Sequence, residues 1–579
     1  MSYLITNRTG GYALIGTRSF SRYSGIFFRE KKSTFKVIDD IKIKRSPKSL
    51  NSNYWMIERK YPEVTQRYCM VHGFNAITYD LDKEFESEIV LDCKESYDNR
   101  SFGRFYDIQE EDGKIIITYT KKTNLEEDET ENKTEYKIYV VIKPDSLQYN
   151  EIKEFIHKDY GLDRRRGSTP SDRHVFSALK IKTKKMAIAF SLDKERALYD
   201  ADFVFKNMKS LKNLEKTYHT ALLKNTKTKK ATLTKALKHA VVSYDQLLTN
   251  VDARKGIYAG LPWFFQYWSR DESISLKAAN LIGKNNTAKS IFFTILGRMQ
   301  EDGNIANRLP PTDLGCADAV GWLFKRADSI LPTLSPIEKK EVEKKLQNAI
   351  SRLLKSSTNN TLATNTAQET WMDTVYQNDT REGSRIEIQA GRLNMYHLMH
   401  KISKKKIYKD LELRLKKKVR DQFWNKNFLA DGSTDQTIRP NIFIAHYLYP
   451  QLLSNAEWTR CFTFALKQLW LDWGGLSTIS KSHQLYQTEH SGEVPNSYHR
   501  GDSWFWINNL AALSLHKVNK KKFRHYIDKL TKASCKDILK LGIIGSHAEL
   551  SSASELKSQG CLSQAWSLAM FIELAKEIS

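Results

Sequence analysis

The spacing of apolar positions changes part-way along the chain. Over the first two hundred residues they come in short β-branched or aromatic runs that partly alternate: Lys114 to Thr120 (KIIITYT), Tyr136 to Ile142 (YKIYVVI), His174 to Ile181 (HVFSALKI) and Lys185 to Leu192 (KMAIAFSL). The acidic stretch Asn124 to Asn132 (NLEEDETEN) separates the first two and reads as a hairpin tip. Such a string predicts an antiparallel β-sandwich. After about residue 205 the period becomes helical. Leu233, Ala236, Leu237, Ala240, Val241, Tyr244, Leu247 and Leu248 form one stripe. Similar stripes recur over Ile337 to Leu353, Arg392 to Met399, Leu411 to Phe423, Trp458 to Leu471, Trp504 to Leu515 and Leu562 to Ala575. The expected organisation is a β domain over 1–205, a helical linker over 206–230 and a helical domain over 231–579. About 350 residues would hold twelve helices with their connections, so a barrel of paired helices fits the arithmetic.

Composition narrows the class. Of the 579 residues 40% are hydrophobic and 27% charged, which excludes collagen-like and wholly disordered chains. No apolar run approaches the roughly 18 residues of a membrane span, and the start (MSYLITNR) lacks the basic-then-apolar pattern of a secretory signal, so a cytoplasmic protein is expected. The net charge of +25 would suggest a polyanion partner if it were concentrated. Its basic runs, Arg164 to Arg166, Lys404 to Lys406, Lys416 to Lys418 and Lys520 to Lys522, are short, scattered and without a nucleic-acid motif, and read as solvated helix faces. The six cysteines show no CxxC spacing. There is no HExxH, EF-hand loop, Walker loop or GxGxxG after a strand, so neither metal nor cofactor is expected.

Chemistry concentrates in a few aromatic, carboxylate-bearing loops. Leu261 to Asp271 (LPWFFQYWSRD) places Trp263, Phe264, Phe265, Tyr267 and Trp268 directly before Arg270 and Asp271. The cluster is contiguous and not at helical spacing. Flat aromatic faces beside a charged pair suit a sugar ring, whose C–H face stacks while its hydroxyls need donors and acceptors. Asp373 follows Trp371 and Met372; among apolar neighbours its pKa would rise and fit a general acid, although taken alone it reads more simply as a helix-end cap. Ser497 to Trp506 (SYHRGDSWFW) gathers His499, Arg500, Asp502, Trp504 and Trp506, and Ile544 to Glu549 (IGSHAE) offers Glu549 as a base or as an ordinary solvated glutamate.

At these loops the chain resembles the archaeal-type glycogen debranching enzymes, or amylo-α-1,6-glucosidases, of the six-hairpin glycosidase clan. Asn7 to Phe28, Gly260 to Leu276, Gly303 to Phe324, Thr370 to Asp373, Arg385 to Asn394, Thr437 to Asn441, Gly475 to Ser480, Ser497 to Trp506 and Gly560 to Ala569 follow the family's motifs in order. Departures are Ser24, Ser269, Asp502 and Ala548. The resemblance implies an N-terminal β-sandwich followed by an (α/α)6 barrel, with Asp373 as general acid and Glu549 as general base. Arg270 and Asp271 would hold the terminal glucose, with Trp263, Trp268, Trp371, Glu387, His499, Arg500 and Trp504 completing the binding site. The implied reaction is removal of single α-1,6-linked glucose stubs from glycogen or limit dextrin, with inversion. Two other readings stand beside it: a glucoamylase- or trehalase-like exo-α-glucosidase of the same clan, and a noncatalytic polyanion- or polysaccharide-binding protein.

Overall fold

The computed structural model describes residues 1–122, 135–251 and 254–579. The acidic Asn124 to Asn132 stretch lies outside them. The chain divides into two compact units, Met1–Lys224 with Leu248–Arg254 and Asn225–Leu247 with Lys255–Ser579.

The first unit is built on an antiparallel sheet of thirteen strands among the described residues. Its axis is a pair of twenty-residue strands, Ala76–Glu95 and Asp172–Ser191. The second joins what the sequence suggests are two strands. The polar residues between them, Lys182 to Lys185, continue the ladder because they meet the equally polar middle of the partner strand, with Thr183 opposite Phe85 and bulges absorbing the bend. Ile5 and Ile108, from strands at the two ends of the sheet order, share one core, so the sheet folds over on itself in two layers, as expected. Alternation explains the near-continuous apolar runs. Ile115, Ile117 and Tyr119 face that core, while Ile116 points the other way with Val141, Ala187 and Ala189. A short helix α1 (Gly161–Arg166) follows the sheet's long outer strand, and helix α2 (Lys194–Leu222) covers the second face with Ala197, Ala201 and Val204. Its N-cap Asp193 accepts a hydrogen bond from the Arg196 amide.

The second unit holds twelve α-helices among the described residues: α3 (Ala231–Leu247), α4 (Ser269–Leu281), α5 (Asn285–Leu296), α6 (Ala319–Ile330), α7 (Pro336–Ser356), α8 (Ile386–Ser403), α9 (Lys406–Phe423), α10 (Asn441–Leu448), α11 (Asn455–Leu469), α12 (Phe505–Asn519), α13 (Arg524–Lys540) and α14 (Ala565–Glu577). Helices α4, α6, α8, α10, α12 and α14 pack in sequence, and α14 closes back on α4, forming an inner ring. The odd-numbered helices pack outside it. This is the (α/α)6 barrel. Outer helices are amphipathic, and α7 and α11 begin with capping boxes at Ser335 and Ser454. Inner helices are buried nearly all round, so α10 (NIFIAHYL) shows no stripe at all. No described helix is long and apolar enough to cross a membrane.

The ring is tight where α6 crosses α8. A Cβ on Gly321 would lie 2.9 Å from the Gly391 Cα, and backbone cannot yield as a flexible side chain would. Gly321→Val is therefore expected to push the helices apart and cost about 1–3 kcal/mol, read as a lowered unfolding midpoint of the barrel. An unchanged midpoint would show that the crossing tolerates a side chain.

Candidate active site

All six inner helices begin at one end of the barrel, and the loops before them carry the expected chemistry. Two-residue strand pairs pin those loops. Gly260–Leu261 pairs with Ser563–Gln564, Tyr267–Trp268 with Arg308–Leu309, and Ser503–Trp504 with Leu550–Ser551. The last pairing sets Glu549 beside Trp504, reinforced by a hydrogen bond from the Phe505 amide to the Glu549 carbonyl at 3.1 Å. Between the loops lies a cavity of about 90 Å3 lined by Ala259, Phe264, Trp268, Arg270, Asp271, Trp371, Asp373, Tyr498, Trp504, Glu549, Gln564 and Trp566.

Its charged groups form one linked set. Arg270, in the first turn of α4, aims Nε at both oxygens of Asp318 at 2.8 Å, Nη2 at the Glu369 carbonyl at 3.2 Å and Nη1 at Asp373 Oδ2 at 3.3 Å. Asp373 also accepts from His499 Nε2 at 3.4 Å. Its side chain keeps 38% exposure, so it is not enclosed among apolar neighbours as the sequence suggested. Burial pushes its carboxyl up, but the His499 hydrogen bond and the Arg270 charge outweigh that, and it stays below the usual aspartate range. The raised carboxyl is instead Asp271. Burial drives it upward against the pull of Arg270, the charges of Glu549 and Asp373 add to the effect, and it reaches about 8. Gln564 Nε2 donates to its Oδ1 at 3.3 Å.

Glu549 takes hydrogen bonds from the Tyr498 hydroxyl at 2.5 Å and the Cys561 amide at 2.8 Å. Gly560 lies against it with φ 62°, and a Cβ there would come within 2.3 Å of Glu549 Oε2. The walls are aromatic. Trp371 meets Trp504 edge-on at 5.5 Å, Trp504 meets Trp566 at 5.6 Å, and Trp371 Nε1 is fixed by Asn441 Oδ1 at 2.7 Å. The indole nitrogens of Trp268 and Trp566 have no hydrogen-bond partner among the described residues.

Seven of the eleven expected site residues line this cavity: Trp268, Arg270, Asp271, Trp371, Asp373, Trp504 and Glu549. Four do not. His499 stands behind Asp373, stacked on Trp504 at 5.1 Å; burial lowers its pKa to about 4, so the ring is neutral near pH 7. Arg500 donates from Nε to Asp379 at 2.8 Å and from Nη2 to the Thr374 and Asp379 carbonyls at 2.8 and 2.9 Å, holding the chain just after Asp373. Glu387 pairs with Arg381 at 2.8 Å, and Arg381 in turn bonds Thr370 Oγ1 at 2.6 Å, one residue before Trp371. Trp263 is buried outside the lining. The sequence reading passed over Tyr498, Gln564 and Trp566 as site residues, although each sits in a motif it singled out. Among the described residues no cluster of three or more His, Cys, Asp or Glu side chains could hold a metal ion.

The sequence model of the amylo-alpha-1,6-glucosidase family matches residues 241–573, more than half of the chain. The chain belongs to this family. The matched span runs from α3 into α14 and contains every cavity residue. Among solved structures, a bacterial glucoamylase complexed with acarbose superposes with a TM-score of 0.66 at 10% identity, over 100% of this chain and 93% of that one. That likeness is one of fold. No curated protein matches the sequence. This family member is a glycoside hydrolase of the α/α-barrel clan.

The Asp271 pKa has a consequence for stability. In the unfolded chain an aspartate titrates near 4. Between there and about 8 the unfolded state releases a proton that the folded state keeps, so this group destabilises the fold progressively as pH rises. Asp271→Asn, which retains an acceptor for Gln564, is expected to raise the melting temperature at pH 7 by about 2–4 °C and to leave it nearly unchanged at pH 4.5. A variant no more stable than the parent at pH 7 would show that Asp271 is ionised there.

Proposed function

We propose that this hydrolase removes single α-1,6-linked glucose stubs from glycogen or a limit dextrin, with inversion, using Asp373 as general acid and Glu549 as general base. The observation that carries the reading is the meeting of both carboxylates, the Arg270–Asp271 pair and four tryptophans in one small cavity. Its size suits a single ring at a chain end better than a threaded polymer. Family membership supports the α-1,6 bond.

The acid and base roles follow from surroundings. Glu549 faces two donors, both suited to a carboxylate that stays ionised and orients a water. Asp373 must carry a proton when the glycosidic oxygen leaves. In the free site Asp271 is the protonated carboxyl at neutral pH. Three carboxyls facing one cavity titrate as a group, so the proton belongs to the set. A sugar ring in the cavity displaces water from the exposed side of Asp373, which favours its neutral form, while its hydroxyls supply Asp271 with donors that favour the ionised one. Substrate binding thus moves the proton to the oxygen that needs it. His499 acts on Asp373 by a direct hydrogen bond and Arg500 through the loop that follows it, both as positioning residues.

Incubation with phosphorylase-limit dextrin is expected to release free glucose. Asp373→Asn and Glu549→Gln should each lower kcat by on the order of 10² to 10⁴ with an unchanged melting curve. Parent-like activity in Asp373→Asn would remove it from the acid role. Faster release from linear maltooligosaccharides or from trehalose would instead favour an exo-α-glucosidase of the clan.

Stereochemistry is the second test. An inverting site delivers water opposite the leaving group, so the α-linked stub must first appear as β-glucose, visible by proton NMR before mutarotation. Initial α-glucose would contradict both carboxylate roles even with glucose release confirmed.

A further inference from the structure

A second cavity, of about 500 Å3, lies on the later turns of the inner helices, at the opposite ends from Asp373 and Glu549. Four cations line it: Lys277 on α4, Lys325 and Arg326 on α6, and Lys517 on α12. Asp328 is the one carboxylate side chain in the lining, and it already lies 3.3 Å from Lys401. Buried Glu573 pairs with Lys277 at 2.9 Å and Arg326 at 3.5 Å. Lys325 bonds the Leu448 carbonyl at 3.0 Å and lies 6.0 Å over the Tyr447 ring, and neither it nor Lys517 makes an ion pair among the described residues. Burial, reinforced by Arg326, Lys517 and Lys277 and opposed by Asp328, pushes the Lys325 ammonium down to about 8. The site holds more positive charge than its own residues neutralise.

Two buried neutral groups complete it. His446 on α10 is 5% exposed and Ser514 on α12 is 1% exposed; both line the cavity, and His446 Nδ1 and Ser514 Oγ have no hydrogen-bond partner among the described residues. Burial beside Lys517 and Lys325 keeps the imidazole neutral, with a pKa of about 3. Attraction of cations to helix C-termini accounts for Lys517, in the last turn of α12, but not for Lys277 or Lys325, which lie before the last turns of α4 and α6. It accounts neither for their convergence on one cavity nor for unpartnered polar atoms buried beside them, which cost free energy unless something bonds them.

We propose that this cavity binds a phosphate group, as the free ion or on a small organic phosphate, between Lys325, Lys517, His446 and Ser514. Ammonium-to-phosphate bonds are charge-assisted, and the hydroxyl and the imidazole N–H add two neutral donors. A dianion there relieves the repulsion among the cations, and a small shift of His446 and Ser514, which line the same cavity, would bring both orphaned groups onto it. The volume leaves room for an attached sugar-sized moiety.

The test is calorimetric titration of the full chain with inorganic phosphate and, separately, with glucose 6-phosphate, at fixed ionic strength set with sodium chloride. Saturable one-site binding is expected, weakened about tenfold or more in Lys325→Gln and in Lys517→Gln, and less than about twofold in Lys404→Gln, which removes the same charge elsewhere. Lys517 is exposed, so its variant serves even if Lys325→Gln fails to fold. Tighter binding of glucose 6-phosphate assigns the site to an organic phosphate; equal binding assigns it to the free ion. Absence of saturable binding by either, or an equal loss in Lys404→Gln, would overturn the proposal.

Discussion

Three carboxyl groups, Asp271, Asp373 and Glu549, share one small cavity, and their mutual repulsion is the constraint to which the surrounding structure answers. Left to themselves, like charges so placed would take up protons or swing into solvent. Arg270 prevents the second outcome for Asp373, and is itself fixed by Asp318 before it reaches the cavity. Glu549 is tied from two sides, by Tyr498 and by the Cys561 amide. Among the described residues the one side-chain donor to Asp271 is Gln564, at a long 3.3 Å, and Asp271 is the group that yields by keeping its proton. The distribution of partners among the three decides which one stays neutral.

That arrangement needs a rigid loop after Asp373, and buried arginines supply it. Asp379 accepts from Arg439 and Arg500, each at 2.8 Å, and Arg439 also donates to the His499 carbonyl at 2.9 Å. Arg381 bridges Asp431, Glu387 and Thr370. Asp431 is held well below the usual range: burial raises it, and Arg381, Arg439 and Arg385 together overcome that. Removing one member of such a set would strand a buried charge, so these contacts fix geometry whether or not they add net stability.

Much of this was legible in the chain, for identifiable reasons. The outer helices α3, α7, α9 and α11 were found from their stripes, since one face meets water; α5 and α13 were not singled out, and inner helices α8, α12 and α14 were met as partial stripes. Helix α10 was not, because a helix buried on all sides has no polar face to reveal its period. In the β unit the same physics hid the alternation of Ile115, Ile116 and Ile117, where helix α2 makes the second face apolar. The charged run 182–185 looked like a break between two strands because its pairing with residues 80–86 is invisible from either alone. At the site, contiguous aromatic residues before Arg270 and Asp271 pointed to the right loop. Sequence could not separate residues that touch the cavity from those one layer behind. His499 and Arg500 sit next to Tyr498, yet only Tyr498 reaches Glu549. Nor could it foresee the Asp373 environment, which depends on Arg270 and His499, 103 and 126 residues away.

The opposite charges of these two cavities follow from one geometric fact. Six inner helices run in the same direction, so their N-termini, with unpaired amides and partial positive charge, gather at one end and their C-termini at the other. Outer helices return the opposite way and offset part of that alignment, but each end of the ring keeps its sign. Carboxylates are tolerated in numbers at the N-terminal end, where Asp271, Asp318 and Glu387 all sit within the first turn or cap of their helices. Lysines are tolerated at the other. Glu573, near the end of α14, breaks the pattern and is paired at once by Lys277, Arg326 and the Tyr447 hydroxyl. Lys517, in the last turn of α12, obeys the helix-end rule; Lys325 lies before the last turn of α6 and is met by a backbone carbonyl and no carboxylate, which leaves its charge available to a ligand as the opposite end leaves its carboxylates available to a sugar.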